Sequence, residues 1–457
     1  MSPSVVVVGG GVAGLTTAFR LSQRGVDVAV VEASDDVGGR LRSMTVGDLE
    51  LEAGPDSFVA RKPWAVELCR ELGLELDAPR ASRAQMWTER GLVDLPPSAL
   101  GVPSDASALW SWAGLSRAGR IRALADLVKR ARPDGGDAPL GSLLRRRLGD
   151  EATERLVAPL LAGLFAGDVD RLGAAATFPE LAEWERRFGS LIRGAKAATS
   201  ASATAGPMFV RPRAGVAVLP NELAERLGAG AITTRTAVRK TEPRGGGFAI
   251  TADVGAMLAR CLVLATPSSA TADIVAEAWP EVAAHLRMLR TVSTAVVLLV
   301  YGEGTATALP DATGFVVPRE RAPMTAATFL SRKWPDDRFR TRAVVRCFVG
   351  ADGSEDVIDA PDDDLVHAVA AYLAAVTGLP PRPEHAAVVR WPGAMPQYEV
   401  GHLGRVDAIE RSLPPGMFVV GNAYRGVGVA DTVHGANEAA EAIHAYLGEH
   451  DRTEPVG

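Results

Sequence analysis

An α/β fold, with a parallel nucleotide-binding sheet at its head, a helical insertion and a separate antiparallel sheet, is what this sequence predicts. Three observations predict it. Residues Ser4 to Arg42 read as strand, glycine turn, helix, strand and acid in that order. From about Ala106 to Ala198 the pattern turns helical and dense in arginine. Between Thr291 and Val349, four short apolar runs are spaced as in an antiparallel sheet.

The first unit is the most explicit. Val5 to Val8 form a short apolar strand. Gly9, Gly11 and Gly14 then have the spacing G-x-G-x-x-G. The first allows the tight turn, the second lets backbone approach a pyrophosphate, and the third lets the next helix lie close to the sheet. That helix carries Leu15, Phe19 and Leu21, and Gly25 ends it before a second strand, Val28 to Val31. Its N-terminus offers free N–H groups and the positive end of a dipole to phosphate. Glu32 closes the second strand, where a carboxylate accepts ribose hydroxyls. A glycine fingerprint alone is weak evidence, but the ordered strands, helix and acid make a Rossmann-type unit the reading here. Gly38-Gly39-Arg40 follows, a second glycine pair with a cation suited to phosphate oxygens.

Composition bounds the rest. The chain has 457 residues, 47% of them hydrophobic, enough for two or three domains. A net charge of −6 argues against a general nucleic-acid binder, so an anionic substrate must be met by local cations. Cys69, Cys261 and Cys347 are far apart and odd in number, which gives neither a disulfide framework nor metal-ligand spacing. No metal site is expected. The valine run lacks a basic leader and reads as core, and the longest strongly apolar run, Ala295 to Val300, is strand-sized. A cytoplasmic protein is expected.

Along the chain, Leu49 to Phe58 gives a strand and then a turn at Gly54-Pro55. A helix runs from Trp64 to Leu72, and Trp87 to Gly101 gives a hairpin ending in a proline-rich loop. In the helical region, Arg117, Arg120, Arg122, Arg130, Arg132, Arg145, Arg146 and Arg147 are interspersed with Asp126, Asp150, Glu151 and Glu154. Two readings of it stay open: a solvated face, or a surface resting on an anionic membrane. A Pro/Gly/Asp linker at Pro133 to Pro139 splits two helices, and Ala197 to Gly206 reads as a mobile loop of small residues. Sheet patterning then returns: a helix within Gly215 to Leu227, a hairpin within Ala237 to Thr251, and a buried strand at Cys261 to Ala265. After the four antiparallel runs comes a helix, Asp362 to Thr377, and a segment rich in Pro and Gly, Arg390 to Val406, that crosses between domains. Met417 to Asn422 is a last strand, Ala423 to Val429 a glycine-rich loop, and Asp431 to Leu447 a final helix.

These segments together resemble one family, the bacterial protoporphyrinogen/coproporphyrinogen oxidases of haem biosynthesis, within the amine-oxidase-like FAD flavoproteins. The stretches that carry the likeness are GGGVAGLTTAFRLSQRG, VVEASDDVGGRL, EAGPDSFVARKP, LLAGLFAGDVDRLGAAATFPEL, VLATP, FLSRKWP, RWPGAMPQYEVGHLGRV and GNAYRGVG. They cover both ends and the middle of the chain. GPDSF with RKP, and SRKWP, lean toward the coproporphyrinogen-oxidising branch of Gram-positive-type bacteria.

The resemblance implies a Rossmann-type FAD-binding domain built from residues 1–75, 207–275 and 405–457. It implies an α+β antiparallel-sheet substrate domain from 76–105 and 276–404, and an inserted helical domain from 106–206. FAD would be held by Gly9, Gly10, Gly11, Val12, Ala13, Gly14, Glu32, Ala33, Arg40, Gly54, Pro55, Asp56, Ser57, Val238, Trp391, Val427, Gly428 and Val429. Val238 would approach the adenine, and the last helix would start near the flavin, where its dipole favours the reduced anion. Arg61, Lys62 and Arg425 would pair with substrate propionates, or else are plain surface cations. Two departures from the family pattern fall at Arg213-Ala214-Gly215-Val216 and at Ala430-Asp431-Thr432, and bear on substrate-side detail.

The implied reaction is the six-electron aromatisation of a porphyrinogen, three hydrides passing to flavin N5 while O₂ is reduced to hydrogen peroxide. Such chemistry asks for positioning more than for acid or base groups, so no catalytic side chain is nominated. His402 and His434 read as structural. Coproporphyrinogen III is the expected substrate and protoporphyrinogen IX the alternative, with hand-over of product to the next haem-pathway enzyme. Another amine-oxidase-like flavoenzyme, or a non-catalytic FAD-bound partner, are the remaining readings.

Overall fold

A computed structural model describes residues 3–81, 83–132, 136–202, 206–318 and 322–453 of the chain. Its centre is a five-stranded parallel sheet. From edge to edge the strands are Ile232–Thr233, Val28–Val31, Val5–Val8, Cys261–Leu264 and Met417–Val419. The four valines of the first strand are buried on both faces, and strand periodicity sends alternate side chains to different cores. Val5 and Val7 pack under helices Val12–Ser22 and Val429–Thr453. Val6 and Val8 meet the antiparallel meander 238–259 and helices Ser268–Val275 and Pro280–Arg287.

A second sheet has seven strands in the order His385–Pro396, Thr291–Glu303, Arg342–Val349, Ala326–Phe329, Gly314–Val316, Gln85–Thr88 and Gly91–Asp94. Its pairs are antiparallel except that of Gly314–Val316 with Gln85–Thr88. Its long strand alternates in the same way. Ala295, Val297, Leu299 and Tyr301 face the core with helix Asp362–Thr377, whereas Val296, Leu298 and Val300 face Leu49, Leu51 and Trp334. The seven-stranded sheet therefore rests directly on the segment that leads to Gly54.

Helices between Ala106 and Ser202 enclose a third core. Four of the arginines of this region are used internally. Arg147, 1% exposed, reaches Asp126 at 2.5 Å, and Asp126 also accepts from Ser190 and the Ile192 N–H. Arg146 pairs with Glu185, Arg145 with Glu154 and Asp170, and Arg122 donates to the carbonyls of residues 145–147.

Two expectations from the sequence are corrected here. Most of the small-residue stretch expected to be a loop from Ala197 is instead the end of helix Leu191–Ser202. Alanine is the best helix former, Ala195 is buried, and the Thr199 hydroxyl bonds back to the Ala195 carbonyl. Residues 203–205 of that stretch, and 133–135 of the expected Pro/Gly/Asp linker, lie outside the described residues. The segment expected only to cross between domains also forms a strand, His385–Pro396. It lies at the sheet's edge, where Pro392 and Pro396 break no internal ladder.

Candidate cofactor site

At the C-terminal end of the first strand, Gly9 takes φ +112° and its N–H donates to the Val31 carbonyl at 2.8 Å. A Cβ on Gly14 would collide with the Gly9 carbonyl, so only glycine lets the helix start this close to the sheet. At Gly11 the opposite holds: no atom lies within 4 Å of where a Cβ would be, and the space above the turn is open. Helix Val12–Ser22 begins there with no side-chain cap and no acid in its first turn, leaving its N–H groups for an anion.

The second glycine pair docks on the first turn. Gly38 N–H donates to the Gly10 carbonyl at 2.8 Å, and Gly11 and Gly38 form an isolated parallel bridge. This places Arg40 beside the turn. Its guanidinium donates to Asn422 Oδ1 at 3.0 Å and has no carboxylate partner among the described residues. Burial pulls its pKa below the usual arginine value, and an arriving phosphate would restore the balance. Gly54 packs on the Arg40 carbonyl so closely that a Cβ would collide with it. The three glycine motifs therefore form one continuous wall.

Glu32 accepts from the Gly10 N–H at 2.6 Å and the Ser34 N–H at 2.7 Å. The Thr236 N–H donates to the Glu32 carbonyl and the Arg235 N–H to that of Ser34, which brings Val238 to this end beside exposed Ala33. On the other side, Trp391 Nε1 donates to the Ala53 carbonyl at 3.0 Å, with Arg42 4.7 Å over its ring. Val429 shares a core with Val12 and Ala13, and the Thr432 N–H donates to the Gly428 carbonyl. Val427 packs on the helical core instead.

Pro55 is half-buried, and Asp56 and Ser57 meet the SRKWP segment. Asp56 accepts from Lys333 Nζ at 2.9 Å and Trp334 Nε1 at 3.1 Å, with Arg346 3.5 Å away. Burial alone would raise its carboxyl, but Lys333 and Arg346 prevail and hold it well below the usual carboxylate range. Ser57 bonds Asp56 and Lys333. Arg346 also donates to the Gly54 carbonyl. The two motifs are thus two halves of one buried joint, a pairing across more than 270 residues that carries no local sequence signal. Neighbouring Glu52 is buried too; burial pushes its carboxyl up to about 7 while the Val216 N–H donates to it at 2.8 Å.

Of the nominated substrate cations, Arg61 is exposed and has no partner among the described residues. Lys62 is paired with Asp431 at 2.6 Å, and Arg425 is neutralised by Asp407 and Glu410. His402 is buried, bonds the Tyr424 carbonyl at 2.7 Å, and is pushed down to about 4 by burial, so it stays neutral in place. His434 stacks on Trp64 at 3.9 Å. Sequence reasoning missed Asn422 and Tyr398, which share a hydrogen-bond chain with Arg40; both lie in stretches it had singled out.

An open glycine turn, an uncapped helix end, an acid closing the second strand and a half-buried arginine without a carboxylate partner among the described residues make a dinucleotide-binding architecture. The sequence matches the flavin-containing amine oxidoreductases over residues 12–444. It is 32% identical to the coproporphyrinogen III oxidase of Bacillus subtilis, covering 97% of this chain and 98% of that one. Identity to the chloroplastic protoporphyrinogen oxidase 1 of Spinacia oleracea is 27%, over 97% of this chain and 84% of that one. The crystal structure of a protein from Exiguobacterium superposes with a TM-score of 0.88 at 29% identity, covering 97% and 99% of the two chains. The chain belongs to the flavin-containing amine oxidoreductase family; it is an FAD-dependent oxidoreductase.

Proposed function

We propose that this protein oxidises coproporphyrinogen III to coproporphyrin III. The supporting observation is the likeness to a coproporphyrinogen III oxidase along 97% of the chain, with lower identity to the plant protoporphyrinogen oxidase. Six electrons and six hydrogens leave the macrocycle, and three O₂ become three H₂O₂. Bound FAD supplies the two-electron acceptor for each round. The residues proposed to hold it are those built into the glycine wall, Glu32, Val238 and Trp391, together with the loop Val427 to Val429, across the three-part domain division given above. The protein's task is to hold the ring against the cofactor and balance the propionates.

Arg61 is proposed as a propionate contact, aided by Lys62 and, at the rim, Arg425. Coproporphyrinogen III carries four propionates and protoporphyrinogen IX two, so Arg61→Ala should raise KM for the former several-fold more than for the latter, each partly desolvated charge contact being worth about 1–3 kcal/mol. The deciding experiment supplies both porphyrinogens to the purified yellow protein and follows porphyrin fluorescence and peroxide. A higher kcat/KM for coproporphyrinogen III is expected. A clear preference for protoporphyrinogen IX would leave the flavin chemistry standing and reassign the substrate.

No helix among the described residues is long and apolar enough to cross a membrane. We further propose that the protein works in the cytoplasm, with peripheral membrane contact through Trp110, Ile121, Val128 and Leu164, which the helical region leaves exposed, and that product passes from there to the next pathway enzyme. Co-sedimentation with anionic vesicles, lost in Trp110→Ser/Ile121→Ser, tests the contact.

A further inference from the structure

Tyr398 lies in the edge strand's exit, 2% exposed, and its hydroxyl spends both its donor and an acceptor on the far loop. It donates to the Asn422 carbonyl at 2.8 Å and accepts from the Gly426 N–H at 2.8 Å. The Asn422 side chain in turn accepts from Arg40 at 3.0 Å. The ring has little freedom to swing away: it stacks on His402 with centroids 3.8 Å apart, and Phe165 packs at 5.5 Å. Its own backbone is pinned, because the Gly173 N–H donates to the Tyr398 carbonyl and Gln397 donates to the Phe165 carbonyl at 2.8 Å. Gly421, at φ +135°, and two further glycines give the loop Gly421 to Gly428 little rigidity of its own.

We infer that Tyr398 is a positioning residue for the cofactor. From a segment tied to the helical region it fixes the loop Gly421 to Gly428 and, through Asn422, holds the Arg40 guanidinium toward the phosphates. This rests on the reading of Arg40 as a phosphate contact. A phenylalanine keeps the stacking and loses only the hydroxyl, leaving the half-buried Asn422 carbonyl and Gly426 N–H without this partner.

The test titrates FAD into apoprotein prepared from full-length wild type, Tyr398→Phe, Arg40→Met and the double variant, following flavin fluorescence, with melting temperatures of each apoprotein. Tyr398→Phe should weaken FAD binding about tenfold, and in the Arg40→Met background its further effect should shrink to within about threefold, as expected for coupled groups. A purely structural tyrosine would lower the apoprotein melting temperature and leave the dissociation constant within twofold of wild type, or would act by the same factor in both backgrounds. Either result overturns the inference. If Arg40→Met itself leaves FAD affinity unchanged, the phosphate reading has failed instead, and this inference with it. Should Tyr398→Phe not fold, Asn422→Ala, which cuts the link to Arg40 and leaves both hydroxyl bonds, carries the same comparison: weaker binding that vanishes in Arg40→Met supports the link, and unchanged binding overturns it.

Discussion

Single residues here separate folding from cofactor capture. Gly11 has an ordinary backbone angle, φ −74°, and open space around it, so valine is tolerated by the apoprotein and intrudes only where the pyrophosphate approaches. Gly11→Val should therefore purify folded, colourless and with an unchanged apoprotein melting temperature; full FAD occupancy would show the loop to be misassigned. Glu32 differs, since it also holds the Gly10 and Ser34 N–H groups. Glu32→Ala should weaken FAD binding by about 1.5–3 kcal/mol, the range for charged hydrogen bonds, while single-turnover reduction at saturating FAD stays near wild type. Rapid-mixing absorbance with excess FAD checks this.

At the scale of elements, the joint beneath Gly54 governs stability. Lys333→Met strips Asp56 of its closest cation, leaving a buried carboxylate with Trp334 and a more distant Arg346; breaking such pairs costs about 3–5 kcal/mol, discounted here because both partners keep some exposure. Thermal unfolding should fall by several degrees, and Asp56→Asn should also destabilise, since it leaves Lys333 and buried Arg346 without their carboxylate. Glu52 sets a pH dependence in the same place. Its folded pKa of about 7 lies above the ordinary value of 4.5, so the native state binds the extra proton, and stability falls as pH rises from about 4.5 through 7. Glu52→Gln should flatten that slope in denaturant titrations; an unchanged slope would place the effect elsewhere. Local signals made the strands, the glycine turns and most helices legible, because each is written in consecutive residues. The joint was not, since Asp56 and Lys333 are polar residues whose roles appear only when two distant turns meet. Likewise Ala197 to Ser202 looked like a loop because small polar residues favour both states, and the packing of Ile192 and Ala195 decides between them.

The whole molecule is arranged around a sheet whose central strand is made first and whose edge strand, Met417–Val419, is made nearly last. The proposed cofactor wall draws on Gly9 to Gly14 at one end of the chain and Asn422 to Val429 at the other, and helix Val429–Thr453 packs on Val5 and Val7 of the first strand. On the ribosome, the opening βαβ unit therefore waits for almost the entire polypeptide before helix Val429–Thr453 completes the cover that its own helix Val12–Ser22 begins, roughly 20–90 s at about 5–20 residues per second. FAD is therefore expected to bind only after both ends have been made, as a clasp between them. Nascent chains arrested before Met417 should neither retain flavin nor resist protease, whereas the full chain made in riboflavin-starved cells should fold, bind added FAD and melt at a lower temperature than the flavin-loaded protein, because every one of its strands has been synthesised.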